Sequence, residues 1–318
     1  MSNYILDFES PLKAIEEKID ILRLTAAKTG ENVSSNIKKL EQKLEQKKAD
    51  IYSKLSRWDR VQLARHPDRP YSLDYIRMMS GDFFELHGDR YFADDSSIVS
   101  GLMTIDGKSY MVIGQQKGRT TKENLFRNFG MPRPEGYRKA LRVMKLAEKF
   151  DVPILTLIDT MGAYPGLGAE ERGQAEAIAR NLFEMPMIRV PIINVVIGEG
   201  ASGGALGIGV GDRLICQENT WFSVISPEGC ASILFRDSSR APEAADAMKV
   251  TAADLLDMGI ADRIISEPHY GAHYDAEGAA RELKKVLMEE FQFLLAMDKD
   301  ELIRRRYAKY EQIGQWKE

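Results

Sequence analysis

A glycine-rich run at residues 198–209, GEGASGGALGIG, is the segment of this chain best suited to chemistry. It follows an apolar run at 192–197 that predicts a buried strand, and it opens a short helix. Because glycine has no side-chain bulk, an oxyanion, a phosphate or a thioester carbonyl can lie directly against backbone N–H groups there. The run therefore predicts an anion-binding turn between a strand and a helix.

A dinucleotide site is the first interpretation of this turn. Gly198, Gly200 and Gly203 match G-x-G-x-x-G, and Glu218 follows at a distance suited to a ribose hydroxyl. A parallel crossover needs about a dozen or more residues, however, and the next strand-like run, 213–217, begins soon after the glycines. The spacing therefore counts against a dinucleotide fold.

A serine hydrolase is the second interpretation, because Gly200, Ser202 and Gly204 match the nucleophile elbow G-x-S-x-G. Downstream acids and histidines could complete a triad: Asp254 or Asp262, with His269 or His273. The match is short, and Ser202 is better explained as a small helix-capping residue.

The third interpretation uses no side chain. The backbone amides of Gly203 and Gly204 would form an oxyanion hole. This interpretation accounts for the small residues that fill the turn.

The composition limits the class of protein. The length of 318 residues and the 44% of hydrophobic side chains fit one large α/β domain with an appendage. The net charge of −4 gives no overall attraction to nucleic acid or to an anionic membrane. Cys216 and Cys230 form no C-x-x-C pair, so we expect buried thiols in a reducing compartment and no zinc site. No signal-peptide pattern or membrane-length apolar run occurs, which predicts a cytoplasmic protein.

The elements that position the glycine turn follow from periodicity. Apolar residues at helical spacing predict two amphipathic helices near the N-terminus, whose narrow apolar stripes favour packing on a main domain or, slightly more, on another subunit. Further along, strands and helices alternate, which is typical of α/β architecture. The predicted elements are a β-hairpin at 98–114, helices at 71–86, 134–149 and 166–182, and strands at 153–158, 192–197, 213–217 and 220–225.

Two other turns of small residues follow predicted strands, at 159–166 and 225–229. Because ligands of open α/β sheets bind at the carboxyl ends of strands, we expect the three turns to line one cleft. The segment 117–138 is predicted as a long basic loop. It suits an anionic ligand such as a carboxylate or a phosphorylated cofactor, or equally a basic surface loop.

Eight segments of the sequence together resemble the carboxyltransferase alpha subunits of bacterial-type acetyl-CoA carboxylase. They are 65–71 (RHPDRPY), 116–119 (QKGR), 128–132 (NFGMP), 134–140 (PEGYRKA), 162–166 (GAYPG), 168–173 (GAEERG), 202–206 (SGGAL) and 226–232 (SPEGCAS). The ordered set covers nearly the whole chain. Met161, Ala201 and Gln115 depart from the family pattern, where proline, glycine and histidine are common.

The resemblance implies an α/β fold of the crotonase superfamily, a spiral of ββα units. It implies an N-terminal helical extension at 1–60, a carboxyltransferase domain at 61–297 and a C-terminal helical tail at 298–318. The implied partners are a zinc-bearing beta subunit in an α2β2 assembly, the biotin carboxyl carrier protein and an ATP-using biotin carboxylase. No metal is expected on this chain.

The implied reaction moves a carboxyl group from carboxybiotin, held on the carrier protein, to acetyl-CoA. The product is malonyl-CoA, in the first committed step of fatty acid biosynthesis. The amides of Gly203 and Gly204 would hold the biotin ureido oxygen, while the beta subunit would supply a second oxyanion hole for the thioester. Biotin itself would accept the proton, so no acidic or histidine base is required. Candidates for the rest of the biotin cleft are Gly162, Ala163, Tyr164, Ser226, Pro227, Glu228 and Gly229, with Lys117 and Arg119 as anion contacts.

Overall fold

A single eight-stranded sheet organises the computed structural model, which describes residues 4–30 and 32–314. The strands are β1 (Phe83–Glu85), β2 (Ile98–Ile105), β3 (Lys108–Gln115), β4 (Ile154–Thr160), β5 (Ile192–Ala201), β6 (Arg213–Gln217), β7 (Trp221–Ser223) and β8 (Arg263–Ile265). The order across the sheet is β1-β2-β3-β4-β5-β6-β8, and β7 pairs with the end of β5. β1 to β3 are antiparallel and the remaining pairs are parallel.

Helices cover both faces of the sheet, as the alternating pattern predicts. The described residues form α1 (Ser10–Thr29), α2 (Ser34–Tyr52), α3 (Arg57–Ala64), α4 (Ser72–Met79), α5 (Thr121–Phe126), α6 (Pro134–Lys149), α7 (Leu167–Glu171), α8 (Gln174–Glu184), α9 (Ser202–Leu206), α10 (Pro227–Phe235), α11 (Ala241–Met248), α12 (Ala252–Asp257), α13 (Ala276–Leu295) and α14 (Lys299–Glu311). The two N-terminal helices, the β-hairpin and α6 confirm the periodicity predictions. None of the described helices is long and apolar enough to cross a lipid bilayer.

β4 and β5 form the centre of the sheet, and every residue in both strands is buried. One apolar core lies between the sheet and helices α4 and α13, and includes Leu155, Ile193 and Leu283. A second core lies on the opposite face against α6, and includes Val143 and Val196. Because both faces are covered, these parallel strands lack polar alternation. Their carboxyl ends open at one edge of the sheet.

Two helix predictions were too long. The helix predicted at 71–86 ends at Met79, and the chain continues into β1, which pairs with β2. The helix predicted at 166–182 is divided into α7 and α8 by Gly173, whose φ of +83° lies in the left-handed region. Apolar periodicity continues across both breaks, whereas the backbone conformation does not.

The segment 117–138 is not an irregular loop. Thr120 caps α5 with its hydroxyl, which accepts from the Glu123 amide. Arg138 already belongs to α6. The capping pattern Thr-x-x-Glu was the local signal for this short helix.

The glycine-rich run begins as strand rather than as turn. β5 continues to Ala201, and a Cβ at Gly198 would lie 2.3 Å from the Asp159 carboxylate while one at Gly200 would lie 2.4 Å from the Phe222 ring. The spacing argument against a parallel crossover was wrong, because β6 pairs in parallel with β5 across the short connection through α9.

One of the arginines near the C-terminus is buried rather than exposed to solvent. Arg306 is fully buried and donates to the Asp212 carboxylate at 2.8 and 2.7 Å, and to the carbonyls of Ile188 and Val190. α14 is therefore fixed to the main domain by this side chain. Residues 315–318 of the predicted tail lie outside the described residues. Cys216 is buried as predicted, whereas Cys230 is only partly buried.

Candidate active site

Two backbone turns meet at the carboxyl edge of the sheet. Gly204 in α9 is buried, and a Cβ there would lie 2.4 Å from the Gly162 carbonyl carbon and 2.5 Å from the Ala163 nitrogen. The turn after β4 and the turn after β5 therefore pack backbone against backbone. Only glycine fits at position 204, because any side chain would push the two turns apart.

Gly203 faces a different environment. A Cβ there would make only ordinary contacts, with Ile178 at 3.6 and 3.7 Å, and the residue is partly exposed. Ser202, just before it, has a φ of +61°, which is uncommon for a residue with a side chain. The strand thus makes an abrupt turn into α9, whose first amides have no acceptor within the helix.

Two side chains donate hydrogen bonds to the carbonyl of Gly204. The Gln115 side-chain amide donates to it at 2.7 Å, and the Tyr137 hydroxyl donates at 3.2 Å. The Gln115 side-chain oxygen accepts from the Asp159 amide at 3.0 Å. Gln115 therefore joins the end of β4 to the glycine turn, and both polar atoms of its buried side chain are used.

A cleft of about 620 Å³ lies beside the two turns. It brings together four of the predicted site residues, which are Lys117, Ala163, Ser226 and Glu228. The other lining residues are Arg65, Asn124, Phe129, Met131, Met161, Pro165 and Glu199. The turns at 159–166 and 225–229 both contribute to the lining, whereas the glycine-rich run contributes Glu199 but neither Gly203 nor Gly204.

The turn after β7 is organised as a helix start. Ser226 caps α10, because its hydroxyl accepts from the Gly229 amide at 3.1 Å, and Pro227 occupies the first helical position. Glu228 points back toward the cleft. Ser226 and Pro227 thus have structural roles that hold Glu228 in place.

Tyr164 lies partly buried beside the cleft. Its amide donates to the Pro132 carbonyl at 3.0 Å, and its ring lies 4.7 Å from the Arg133 guanidinium carbon. Gly162 has a φ of +144° and open space where a Cβ would be. The turn at 162–164 is therefore fixed in shape while leaving room at its surface.

Two buried carboxylates and one partly buried ammonium lie at the ends of β4 and β5. The Lys117 ammonium lies 2.7 Å from the Asp159 carboxylate and 3.6 Å from that of Glu199. Burial lowers the pKa of Lys117, but Asp159 and Glu199 outweigh it, so the pKa lies above its ordinary value. Burial raises the pKa of Asp159, and Lys117 opposes that rise only in part. Asp159 also accepts from the Glu199 amide at 3.0 Å.

Arg65 extends this set of charges across the cleft. Its Nε donates to Glu199 at 2.5 Å, and its two terminal nitrogens donate to the Glu228 carboxylate, one of them at 3.2 Å. Burial raises the pKa of Glu228, but the hydrogen bond and charge of Arg65 lower it below its ordinary value. We refer to Lys117, Asp159, Glu199, Arg65 and Glu228 as the charge chain.

Arg119, the second predicted anion contact, is paired within the protein. It donates to the Asp74 carboxylate at 2.6 Å and to the Pro67 carbonyl at 2.7 Å, and its guanidinium lies 4.6 Å from the Tyr71 ring centre. The arginines of 117–138 as a group contact protein atoms, as a structural basic segment would.

The structure does not assemble the hydrolase triad. Asp254 is paired with Arg57, and Asp262 with Lys309 and the Leu214 amide. His273 stacks on the ring of His66 at 4.2 Å, beneath the N-terminal helices. No described histidine donates to or accepts from Ser202, so its exposed hydroxyl lacks a base.

The dinucleotide interpretation also fails at the level of geometry. Gly198 and Gly200 lie inside β5 and make room for Asp159 and Phe222, so they form no phosphate-binding turn. Glu218 accepts from the Glu267 amide at 3.2 Å.

Among the described residues, no group of three or more histidine, cysteine, aspartate or glutamate side chains could hold a metal ion.

Backbone amides at a helix start can do chemistry without a side chain. Where such amides are fixed, they stabilise negative charge that develops on a bound oxygen. Over residues 5–314 the sequence matches the family described as acetyl co-enzyme A carboxylase carboxyltransferase-like. The chain belongs to this family.

Relatives of this carboxyltransferase-like chain match it from end to end. A Chlorobaculum parvum protein named acetyl-coenzyme A carboxylase carboxyl transferase subunit alpha is 55% identical over 328 aligned positions, which cover 99% of this chain and 98% of that protein. A Flavobacterium johnsoniae protein of the same name is 53% identical, covering 98% of this chain and 99% of its own length.

Two solved structures share the fold of this chain at low sequence identity. A transcarboxylase 12S structure aligns with a TM-score of 0.57 and 19% identity, covering 72% of this chain but only 43% of that one. A Pseudomonas malonate decarboxylase hetero-tetramer in complex with coenzyme A aligns with a TM-score of 0.58 and 17% identity, covering 74% of this chain and 91% of that one.

Sequence reasoning missed the buried acids of this carboxyltransferase-like site. Asp159 and Glu199 each stand at the end of an apolar strand run, where a charge is costly unless it is paired. That placement was the available signal. Arg65 opens the family motif at 65–71, but its carboxylate partners could not be read from the sequence, because they lie 134 and 163 residues away.

Proposed function

We propose that this chain is the alpha subunit of an acetyl-CoA carboxylase carboxyltransferase. With a beta subunit, it would transfer the carboxyl group from carboxybiotin on the biotin carboxyl carrier protein to acetyl-CoA, forming malonyl-CoA. The end-to-end match to relatives of that name carries the proposal. The glycine turn beside a cleft supports it independently.

We place the biotin ring in this cleft, next to the turns at 162–164 and 203–204. Open space lies where a Cβ of Gly162 or Gly203 would extend, apart from ordinary contacts with Ile178, so a flat ligand can approach the backbone closely. When bound, carboxybiotin supplies the carboxyl group and leaves negative charge on its ureido oxygen.

Within this chain, the amides of Gly203 and Gly204 would donate to that oxygen. They are preorganised, since Gln115 and Tyr137 fix the Gly204 carbonyl and the turn at 162–163 supports it. Removing one such donor costs on the order of 3 kcal/mol of transition-state stabilisation. Ala163, Tyr164 and the turn at 226–229 would form the walls of the cleft and exclude water. No side chain of this chain needs to act as a base.

Lys117 would act through its positive charge and would not itself take up the carboxyl group or a proton. Its ammonium lines the cleft while compensating Asp159 and Glu199. It would favour an anionic group nearby, whereas Arg119 would shape the adjoining segment through Asp74.

The proposed assembly is an α2β2 tetramer in the cytoplasm. The beta subunit would carry zinc and hold acetyl-CoA, and a biotin carboxylase would use ATP to charge the carrier protein. We assign 1–60 to a helical extension at a subunit interface, 61–297 to the carboxyltransferase domain and 298–318 to a helical tail.

Reconstitution tests the proposal. The purified chain is titrated with a beta subunit, and malonyl-CoA-dependent carboxylation of biocytin is measured. Negligible activity is expected from the chain alone, rising to a plateau as the beta subunit is added. Absence of carboxylation with a beta subunit that is active with another alpha subunit would overturn the proposal.

The two other interpretations of the glycine turn have their own outcomes. A serine hydrolase would label at Ser202 with a fluorophosphonate, without any partner. A dinucleotide-binding protein would gain thermal stability with NAD. We expect neither result, and Ser202→Ala should retain carboxyl transfer.

A further inference from the structure

Arg65 occupies a position that the proposed chemistry has not used. It follows α3, outside the three turns, yet its guanidinium reaches Glu199 in β5 and Glu228 in α10. Glu199 lies four residues before Gly203, and Glu228 belongs to the opposite wall of the cleft. We propose that Arg65 is a positioning residue that fixes the distance between the two walls of the biotin cleft.

The geometry of the contact requires arginine. Nε bonds one carboxylate while both terminal nitrogens bond the other, so one planar group holds two acids in a fixed relation. The guanidinium carbon also lies 5.9 and 5.6 Å from the ring centres of Trp58 and Trp221, which limit its movement. A lysine ammonium is a point charge on a flexible stem and cannot hold both acids in this way.

The charge balance explains what loss of the contact would do. The charge chain holds two cations and three carboxylates, and the Glu199 side chain is only 3% exposed. Without the guanidinium of Arg65, Glu228 loses its ion-pair partner, and the carboxylate of Glu199 keeps only the Lys117 ammonium, at 3.6 Å. The two acids then repel each other across the cleft, so the wall at 226–229 moves away from the glycine turn.

The inference rests on the proposed function, since it assigns these walls to the biotin cleft. The test uses Arg65→Lys in the complex with the beta subunit. We expect kcat/KM for biocytin to fall by roughly ten- to a hundredfold, because a displacement of about 1 Å can cost about a hundredfold in rate. KM for malonyl-CoA should stay within about twofold, because the beta subunit holds that substrate in the proposed assembly.

Arg57→Lys is the matched control. Arg57 begins the same helix and also joins two acids, Asp254 and Asp246, but it lies outside the cleft lining. Thermal unfolding should change similarly in the two variants, while biocytin kinetics should change only in Arg65→Lys. Equal kinetics for the two variants would overturn the inference.

A double-mutant cycle with Glu228→Gln keeps the test decisive if Arg65→Lys assembles poorly. Both changes break the same link between Arg65 and Glu228. The double variant should therefore be about as active as the less active of the two single variants. Multiplying effects would mean that the two residues act separately and would contradict the inference. If the wild-type complex does not carboxylate biocytin, the proposed function fails. If it does and the cycle is additive, only the role of Arg65 fails.

Discussion

At the scale of single residues, Gly204 and Gly203 stand side by side but meet opposite constraints. A Cβ at 204 would enter the backbone at 162–163, whereas one at 203 would meet only the edge of Ile178. Packing therefore requires glycine at 204 but not at 203, where the proposed oxyanion contact supplies the reason for a glycine.

Substituting each glycine tests this separation. Gly204→Ala should lower the free energy of unfolding by about 1–3 kcal/mol, as overpacked sites do. Gly203→Val should stay within about 1 kcal/mol of wild type and yet lose carboxyl transfer by about a hundredfold, because its branched side chain covers the proposed donor. Urea unfolding and the biocytin assay measure the two effects. A fully active Gly203→Val complex would contradict the oxyanion assignment.

Gln115 supports the Gly204 carbonyl, and its neighbour provides a control. Gln116 makes the same kinds of contact, accepting from the Leu73 amide and donating to the Lys117 carbonyl. Gln115→Met and Gln116→Met should each cost about 1–3 kcal/mol for the backbone groups left unpaired. Only Gln115→Met should lower kcat by more than about tenfold. If both variants lose activity equally, the contact to Gly204 has no special role.

At the scale of elements, a buried ion pair ties the chain before α4 to the segment after β8. Arg69 donates to both oxygens of Glu267 at 2.7 and 2.8 Å, and also to the Ile197 carbonyl in β5. Burial raises the pKa of Glu267, but Arg69 and backbone amides outweigh it and lower the pKa to about 2. This link fixes the sheet edge from which the glycine turn emerges.

The depressed pKa predicts how stability depends on pH. Because the folded pKa of Glu267 is below the unfolded one, its contribution is complete above about pH 4.5 and is lost as pH falls toward 2. Arg69→Met should cost about 3–5 kcal/mol at pH 7, since it leaves a buried carboxylate unpaired. The difference between wild type and variant should shrink below pH 4.5 in urea unfolding.

An exposed pair supplies the control for that variant. Arg240→Met breaks the surface contact with Glu243 and should cost less than about 1 kcal/mol. A pH-independent difference between wild type and Arg69→Met would show that Glu267 is not the titrating partner.

At the scale of the whole molecule, the N-terminal helices leave apolar surface uncovered. α1 buries Leu12 and Ile19, whereas Ile21 and Leu24 are 60% and 62% exposed. Near the main domain, Glu9 accepts from the hydroxyls of Tyr52 and Tyr274 and fixes the base of the helical pair. We propose that this uncovered stripe, Ile21 and Leu24, contacts another subunit.

Polar substitutions of this stripe should weaken assembly without unfolding the chain. Ile21→Gln with Leu24→Gln should leave thermal unfolding of the isolated chain nearly unchanged, because both side chains are already exposed. Sedimentation of the complex with the beta subunit should show dissociation at higher protein concentration than wild type. Ile19→Gln, at a buried position of the same helix, should instead destabilise the isolated chain. Unchanged assembly in the double variant would place the interface elsewhere.

The sequence by itself determined the α/β class, the extent of α6, the β-hairpin and the short helix within the glycine-rich run, because periodicity, capping and turn residues act over a few positions. Its family motifs also indicated the reaction. Only the tertiary structure decided that Gly204 packs on Gly162, that Arg306 is buried, and that Arg65 joins Glu199 to Glu228. Those contacts join residues far apart in the chain. They form only because of the order of the strands in the sheet, so no short stretch of sequence predicts them.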